Sequence, residues 1–143
     1  MQLGAVLLSL DVLLDDGQPP AAGPDAAALI ESLDARGILS AALTERPTEQ
    51  VRTLLESLGL VPHALVGTDD DRKPLPAPDL VFRACEVLNV PPWEVLLVDC
   101  SDAGREAAAS AGCLFAGLGT TGAFTIGRLG EVLDIVAGAG PSR

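Results

Sequence analysis

The chain has 143 residues, enough for one domain with one sizeable core and too few for two. Its net charge is −11, with 9 basic residues against 20 acidic ones, which excludes the basic patch that nucleic acid or an anionic membrane surface requires. Hydrophobic residues make up 48%, which argues against disorder.

Ala5 to Leu10 is an apolar run ending in Asp11 and reads as a buried strand. It has no basic segment before it, so it does not read as a signal peptide. A turn-rich stretch follows through Pro20, Gly23 and Pro24, and Asp25 is expected to cap a helix to Arg36. Gly37 to Leu43 gives a second strand. Pro47 suits the first turn of a helix through Leu58, closed by Gly59. Ala64 to Val66 is a third strand, with His63 at its start. The polar, proline-rich stretch from Thr68 to Ala77 is a loop, and Asp69 to Asp71 read as a solvated turn. Pro78 to Leu88 is helical. Trp93, after Pro91 and Pro92, is expected to anchor the corner into a fourth strand, Glu94 to Val98. Ser101 can cap a helix to Ala111, ended by Gly112. Cys113 to Ala116 is a fifth strand, Ala123 to Ile126 a stub, and Arg128 to Val136 a last helix.

Repeated strand–helix units predict an α/β fold: a three-layer αβα, Rossmann-like core around a parallel sheet of about five strands. The expectation is a single domain over 1–136 with a frayed tail at 137–143. Cys85, Cys100 and Cys113 match no zinc spacing, and free thiols in a reducing cytoplasm are the simplest reading. No apolar run approaches the roughly 18 residues of a membrane span. In a parallel sheet the ligand crevice lies beyond the carboxyl ends of the strands. Polar residues concentrate there: Asp11, Asp15 and Asp16; Thr44, Glu45 and Arg46; Asp69 to Lys73; and Asp99, Cys100, Ser101 and Asp102.

In this setting the chain resembles the haloacid-dehalogenase-like (HAD) phosphatases over nearly its whole length. Their first motif, an apolar strand followed by Asp-x-Asp-Gly-Thr-Leu, has its counterpart in Val6 to Leu14. Their second, a strand ending in Thr or Ser, matches Ala41 to Arg46. Their third, a Lys just before Pro-x-Pro-Asp, matches Arg72 to Asp79. Their fourth, an apolar strand, Gly-Asp-Ser and an alanine-rich helix, matches Val95 to Gly112. The resemblance implies that Asp11 holds the general acid/base position and that Thr44 is the second-motif hydroxyl.

The departures fall on the chemistry. Ser9 stands where the resemblance places the nucleophilic Asp, and Val12 and Leu13 replace Gly and Thr. Cys100 replaces a magnesium-binding Asp. Leu75 takes the place of the lysine, with Lys73 displaced two residues earlier. Ser9 and Asp11 are expected to share a strand face and to be able to touch. Asp11 and Asp99 are the candidate metal ligands of a weakened site, beside Ser101 and Asp102. Mg²⁺ prefers octahedral oxygen coordination, and a thiolate is a soft donor. The connections after Leu14 and after Thr68 are too short for the lid domain that many relatives insert.

The resulting expectation is a capless HAD-like domain that has lost phosphatase activity and binds a protein partner or a second copy of itself. It has no cofactor, no nucleic-acid partner and no membrane partner. The alternative is a hydrolase of altered chemistry, working on a phosphorylated substrate through Asp11, Thr44 and Asp99, with Mg²⁺ as its cofactor. A third reading assigns thiol chemistry to Cys100 near a helix N-terminus.

Overall fold

A computed structural model of the chain describes residues 3–14, 19–68, 73–127 and 129–138. Its strands are β1 (Ala5–Ser9), β2 (Leu39–Leu43), β3 (Ala64–Val66), β4 (Val95–Asp99), β5 (Leu114–Leu118) and β6 (Phe124–Ile126). They form one sheet in the order β3-β2-β1-β4-β5-β6, and every pairing is parallel. The helices are α1 (Leu10–Leu14), α2 (Pro19–Ala35), α3 (Thr48–Ser57), α4 (Asp79–Leu88), α5 (Asp102–Ala111) and α6 (Val132–Gly138).

The central strands β1 and β4 are buried at every position, as strands covered on both faces must be. Alternation along each strand then feeds two separate cores. Val6, Leu8, Leu96 and Val98 pack on one side with Leu29 and Leu33 of α2, Val51 and Leu55 of α3, and Val132 of α6. Ala5, Leu7, Val95 and Leu97 pack on the other with Leu80 and Val81 of α4 and Ala107 and Ala108 of α5. The small alanines of α5 let that helix lie close to the sheet.

The three-layer αβα architecture holds, with six strands rather than about five. Phe124–Ile126 is a full member of the sheet, with Ala116 opposite Phe124 and Leu118 opposite Ile126. Several boundaries move. The chain leaves β1 at Ser9 and turns at once into α1. A helical turn buries Leu10, Val12 and Leu13 together and leaves Asp11 exposed, which an extended strand would not do. Helix α2 begins at Pro19, not Asp25. Pro19 and Pro20 fall in its first turn, where a missing N–H forfeits no helical bond. Pro47 is the N-cap of α3, with φ −57° and ψ 131°, rather than its first helical residue.

Strand β4 runs one residue later than expected and ends on Asp99, after a 3₁₀ turn at Pro92–Glu94. Trp93 in that turn is 64% exposed, so it does not anchor the corner by burial. The last helix is preceded by a 3₁₀ turn at Leu129–Glu131 and continues to Gly138, so Ala137 is helical rather than frayed. Residues 139–143, Arg128 and the acidic residues Asp15, Asp16 and Asp69 to Asp71 lie outside the described residues. Among the described residues no helix is long and apolar enough to cross a membrane.

Candidate functional site

The sheet order reverses direction between β1 and β4, which places the crevice of a doubly wound fold at the carboxyl ends of these two strands. The parallel register sets Ala5 opposite Val95 and Leu7 opposite Leu97. Two residues further on, the same alternation brings Ser9 and Asp99 abreast on one face. Both are buried, Ser9 6% and Asp99 2% exposed. The Ser9 hydroxyl donates to Asp99 Oδ1 at 2.7 Å.

The Asp99 carboxylate has further donors. The backbone N–H of Cys100 reaches Oδ1 at 2.8 Å, and the Ser101 hydroxyl reaches Oδ2 at 2.9 Å. Ser101 is also the N-cap of α5, where its Oγ accepts from the Gly104 N–H at 3.3 Å. The carboxylate is therefore held by a hydroxyl from β1, the first amide after β4 and the cap of α5. Satisfying a buried charge in this way is what makes its burial tolerable.

Thr44 directly follows β2 and is 3% exposed. Its N–H donates to the Val66 carbonyl at 3.0 Å, and its Oγ1 accepts from the Arg46 N–H at 2.9 Å. Ser9, Asp11, Thr44, Arg46, Asp99 and Ser101 all line one pocket of about 290 Å³ at the crevice. Leu75 lines it too.

Of the residues singled out in the sequence, the structure gathers Ser9, Asp11, Thr44, Asp99, Cys100 and Ser101. Two lie elsewhere. Lys73 is exposed, does not line the pocket, and its backbone N–H donates to Asp79 Oδ2 at 3.1 Å. Asp102 faces away along α5, where it pairs with Arg105 at 3.3 Å and accepts from Thr120 Oγ1 at 3.4 Å. Exposed pairs of this kind contribute little. The expected use of the β1 face by Ser9 and Asp11 together is also corrected. The helical turn at Leu10 swings Asp11 off the strand, and the Ser9 hydroxyl is bonded to Asp99.

Gly104, which the motif comparison does not single out, packs against Asp99 and donates its N–H to Ser101 Oγ. Its signal is a glycine inside an alanine-rich helix, three residues past the cap. The thiols away from the crevice are passive. Burial pushes the Cys85 thiol above its ordinary range. Burial, reinforced by the neighbouring Cys85, pushes Cys113 up to about 12. None of the three cysteines forms a disulfide. His63 ties the sheet edge to a helix: its Nδ1 accepts from the Ser40 N–H at 3.1 Å and its Nε2 lies 3.2 Å from Asp34 Oδ1.

The residues near enough to share one cation are Asp11, Asp99 and Cys100, whose donor atoms lie within 4.8 Å of one another. This set does not suit Mg²⁺. It offers a soft sulfur where a hard ion wants oxygen. It also includes a carboxylate whose two oxygens already accept three hydrogen bonds.

Residues 5–112 match the family described as haloacid dehalogenase-like hydrolase. The phosphoglycolate phosphatase of Escherichia coli K12 is 31% identical over 115 residues, which covers 78% of this chain and 43% of that protein. The chain thus spans less than half the length of this curated relative. Two solved structures share the fold over nearly all of both chains. A HAD-superfamily hydrolase from Ehrlichia chaffeensis superposes with a TM-score of 0.78 at 16% identity, covering 96% of this chain and 97% of its own. A subfamily IA hydrolase of the same superfamily from Geobacter sulfurreducens gives 0.74 at 14% identity, covering 94% and 96%. With the motif residues gathered at the β1–β4 crevice and the family matched over 5–112, the chain belongs to the haloacid dehalogenase-like hydrolases.

Proposed function

We propose that this chain is a HAD-like core without phosphatase activity, which acts as a protein-binding or regulatory subunit in the cytoplasm. The observation that carries the reading is the bond from Ser9 Oγ to Asp99 Oδ1 at 2.7 Å. Position 9 offers a neutral hydroxyl, already committed to a buried carboxylate, where a phosphatase of this family needs a free carboxylate nucleophile. Phosphoryl transfer depends on positioned charge to offset the phosphate's own. Leu75 lines the pocket where the family lysine would stand, and Lys73 does not reach it. The described residues between β1 and β2 form only α1 and α2, so no lid is inserted there to exclude water. An open, chemically disarmed crevice suits a partner protein or a second copy of the chain.

One observation favours a second reading, a hydrolase of altered chemistry. The pocket still gathers Asp11, Thr44, Arg46 and Asp99, and the curated relatives are phosphoglycolate phosphatases. The test is hydrolysis of phosphoglycolate and of an aryl phosphate, with and without Mg²⁺, by protein purified free of host phosphatases. The expected rate equals that of the Asp11→Ala variant. Turnover that Asp11→Ala abolishes would establish the second reading in place of the first.

A further inference from the structure

The Asp99 carboxyl group occupies the space that a side chain at position 104 would claim. A Cβ placed on Gly104 would lie 2.6 Å from Asp99 Cβ and 2.8 Å from its Cγ, far inside van der Waals contact. The clash involves the root of the Asp99 side chain, so rotating its tip does not relieve it. Gly104 has no left-handed backbone to account for it: it sits in the first turn of α5 with ordinary helical geometry. Glycine in a helix costs about 1 kcal/mol relative to alanine. What it provides here is room, and the room holds a carboxylate.

We infer that Asp99 and Gly104 are a compensating pair which closes this site to Mg²⁺. The negative charge at the crevice is met by fixed donors, the hydroxyls of Ser9 and Ser101 and the Cys100 N–H, in place of a cation. Oδ1 already accepts two hydrogen bonds and Oδ2 one, so a Mg²⁺ at Oδ1 would displace the buried Ser9 hydroxyl or the Cys100 N–H, and one at Oδ2 would share that oxygen with the Ser101 hydroxyl. In exchange the ion would gain one further carboxylate, from exposed Asp11, and the Cys100 sulfur. Crowded acceptors and a soft sulfur oppose binding, and one exposed carboxylate does not make up the oxygen set that Mg²⁺ requires. The inference deepens the proposed function and rests on the same site, but it concerns the metal and the packing, not turnover.

The test is a thermal-unfolding cycle of Gly104→Ala, Asp99→Gly and the double variant, with a Mg²⁺ titration of the wild type by calorimetry. Gly104→Ala alone should lower Tm by several degrees. In the Asp99→Gly background, which removes the Cβ and Cγ that the new side chain would meet, the same change should leave Tm unchanged or raise it, because alanine favours the helix. An equal fall in both backgrounds overturns the pairing. If Gly104→Ala alone does not fold, a folded double variant supports the pairing, and failure of the double variant while Asp99→Gly folds overturns it. The wild type should show no saturable heat and no Tm rise with millimolar Mg²⁺, and a saturable response overturns the inference whatever the variants do. Turnover without a Mg²⁺ response would sink the proposed function and leave this inference standing; a Mg²⁺ response without turnover would do the reverse.

Discussion

Ser9 and Asp99 face each other across adjacent parallel strands, joined by a 2.7 Å hydrogen bond between residues 90 apart in the chain. The bond ties the end of β1 to the end of β4 where the sheet reverses its winding. It makes position 9 part of the packing as well as part of the pocket wall.

Ser9→Ala therefore has a stability cost. The variant removes one donor from a buried carboxylate and leaves the Cys100 N–H and Ser101 hydroxyl in place. The expected loss is about 1–2 kcal/mol, read as a lower urea midpoint with unchanged slope. A variant as stable as wild type would show that the bond contributes nothing.

Asp11→Asn is expected to be nearly silent in stability. Asp11 is exposed in the first turn after β1. Substitution there should move the unfolding free energy by no more than about 0.5 kcal/mol. The variant thus separates a folding defect from a chemical one when hydrolysis is assayed.

Restoring both lost carboxylates inverts the metal response. Ser9→Asp sets a second carboxylate at hydrogen-bond distance from Asp99, and Cys100→Asp adds a third acid beside Asp11. Without metal the double variant should melt below wild type through like-charge repulsion. With Mg²⁺, which now meets oxygen donors, it should recover part or all of that loss. Indifference to Mg²⁺ would mean that positions 9 and 100 do not converge on one ion.

The buried Cys85 and the half-buried Cys113 predict an alkaline weakness. Cys113 is held protonated to about 12 by burial and by neighbouring Cys85, whereas an unfolded thiol ionises near 9.0. The folded chain then binds more protons than the unfolded chain between these values. Stability from this group is fully present below pH ~9 and declines as pH rises towards 12. Cys113→Ser should flatten that decline in a series of melts. The same raised values predict slow alkylation of Cys85 and Cys113 in the folded protein at pH 8, against rapid labelling in urea.

Much of the architecture could be read along the chain because it depends on local pattern. Uninterrupted apolar runs such as Val95 to Val98 mark strands buried on both faces, and Ser101 and Gly112 bracket α5 with a capping hydroxyl and a left-handed glycine, φ 81°. The family resemblance lay in the same local spacing, and so did the conflict at Ser9, Leu75 and Cys100. Where local signals compete, the fold departs from the local pattern. The prolines near residue 20 read as a turn although the first turn of a helix accepts them, and three apolar residues after Ser9 read as strand and turn although only a helical turn buries them together.

Tertiary structure alone decided who partners whom. In the sequence Ser9 has Asp11 two residues away and Asp99 ninety residues away, and period-two alternation favours the neighbour. The register of β1 against β4 and the turn at Leu10 reverse that choice. Asp99 read as a spare metal ligand because its residue type allows that role. Only the fold shows that three donors already hold it and that Gly104 yields the space it fills. Residue identity and spacing carry secondary structure and family, since those follow from local sterics and hydrophobic period. The state of a buried polar group depends on every atom brought against it, and these come from strands and helices far apart in the chain.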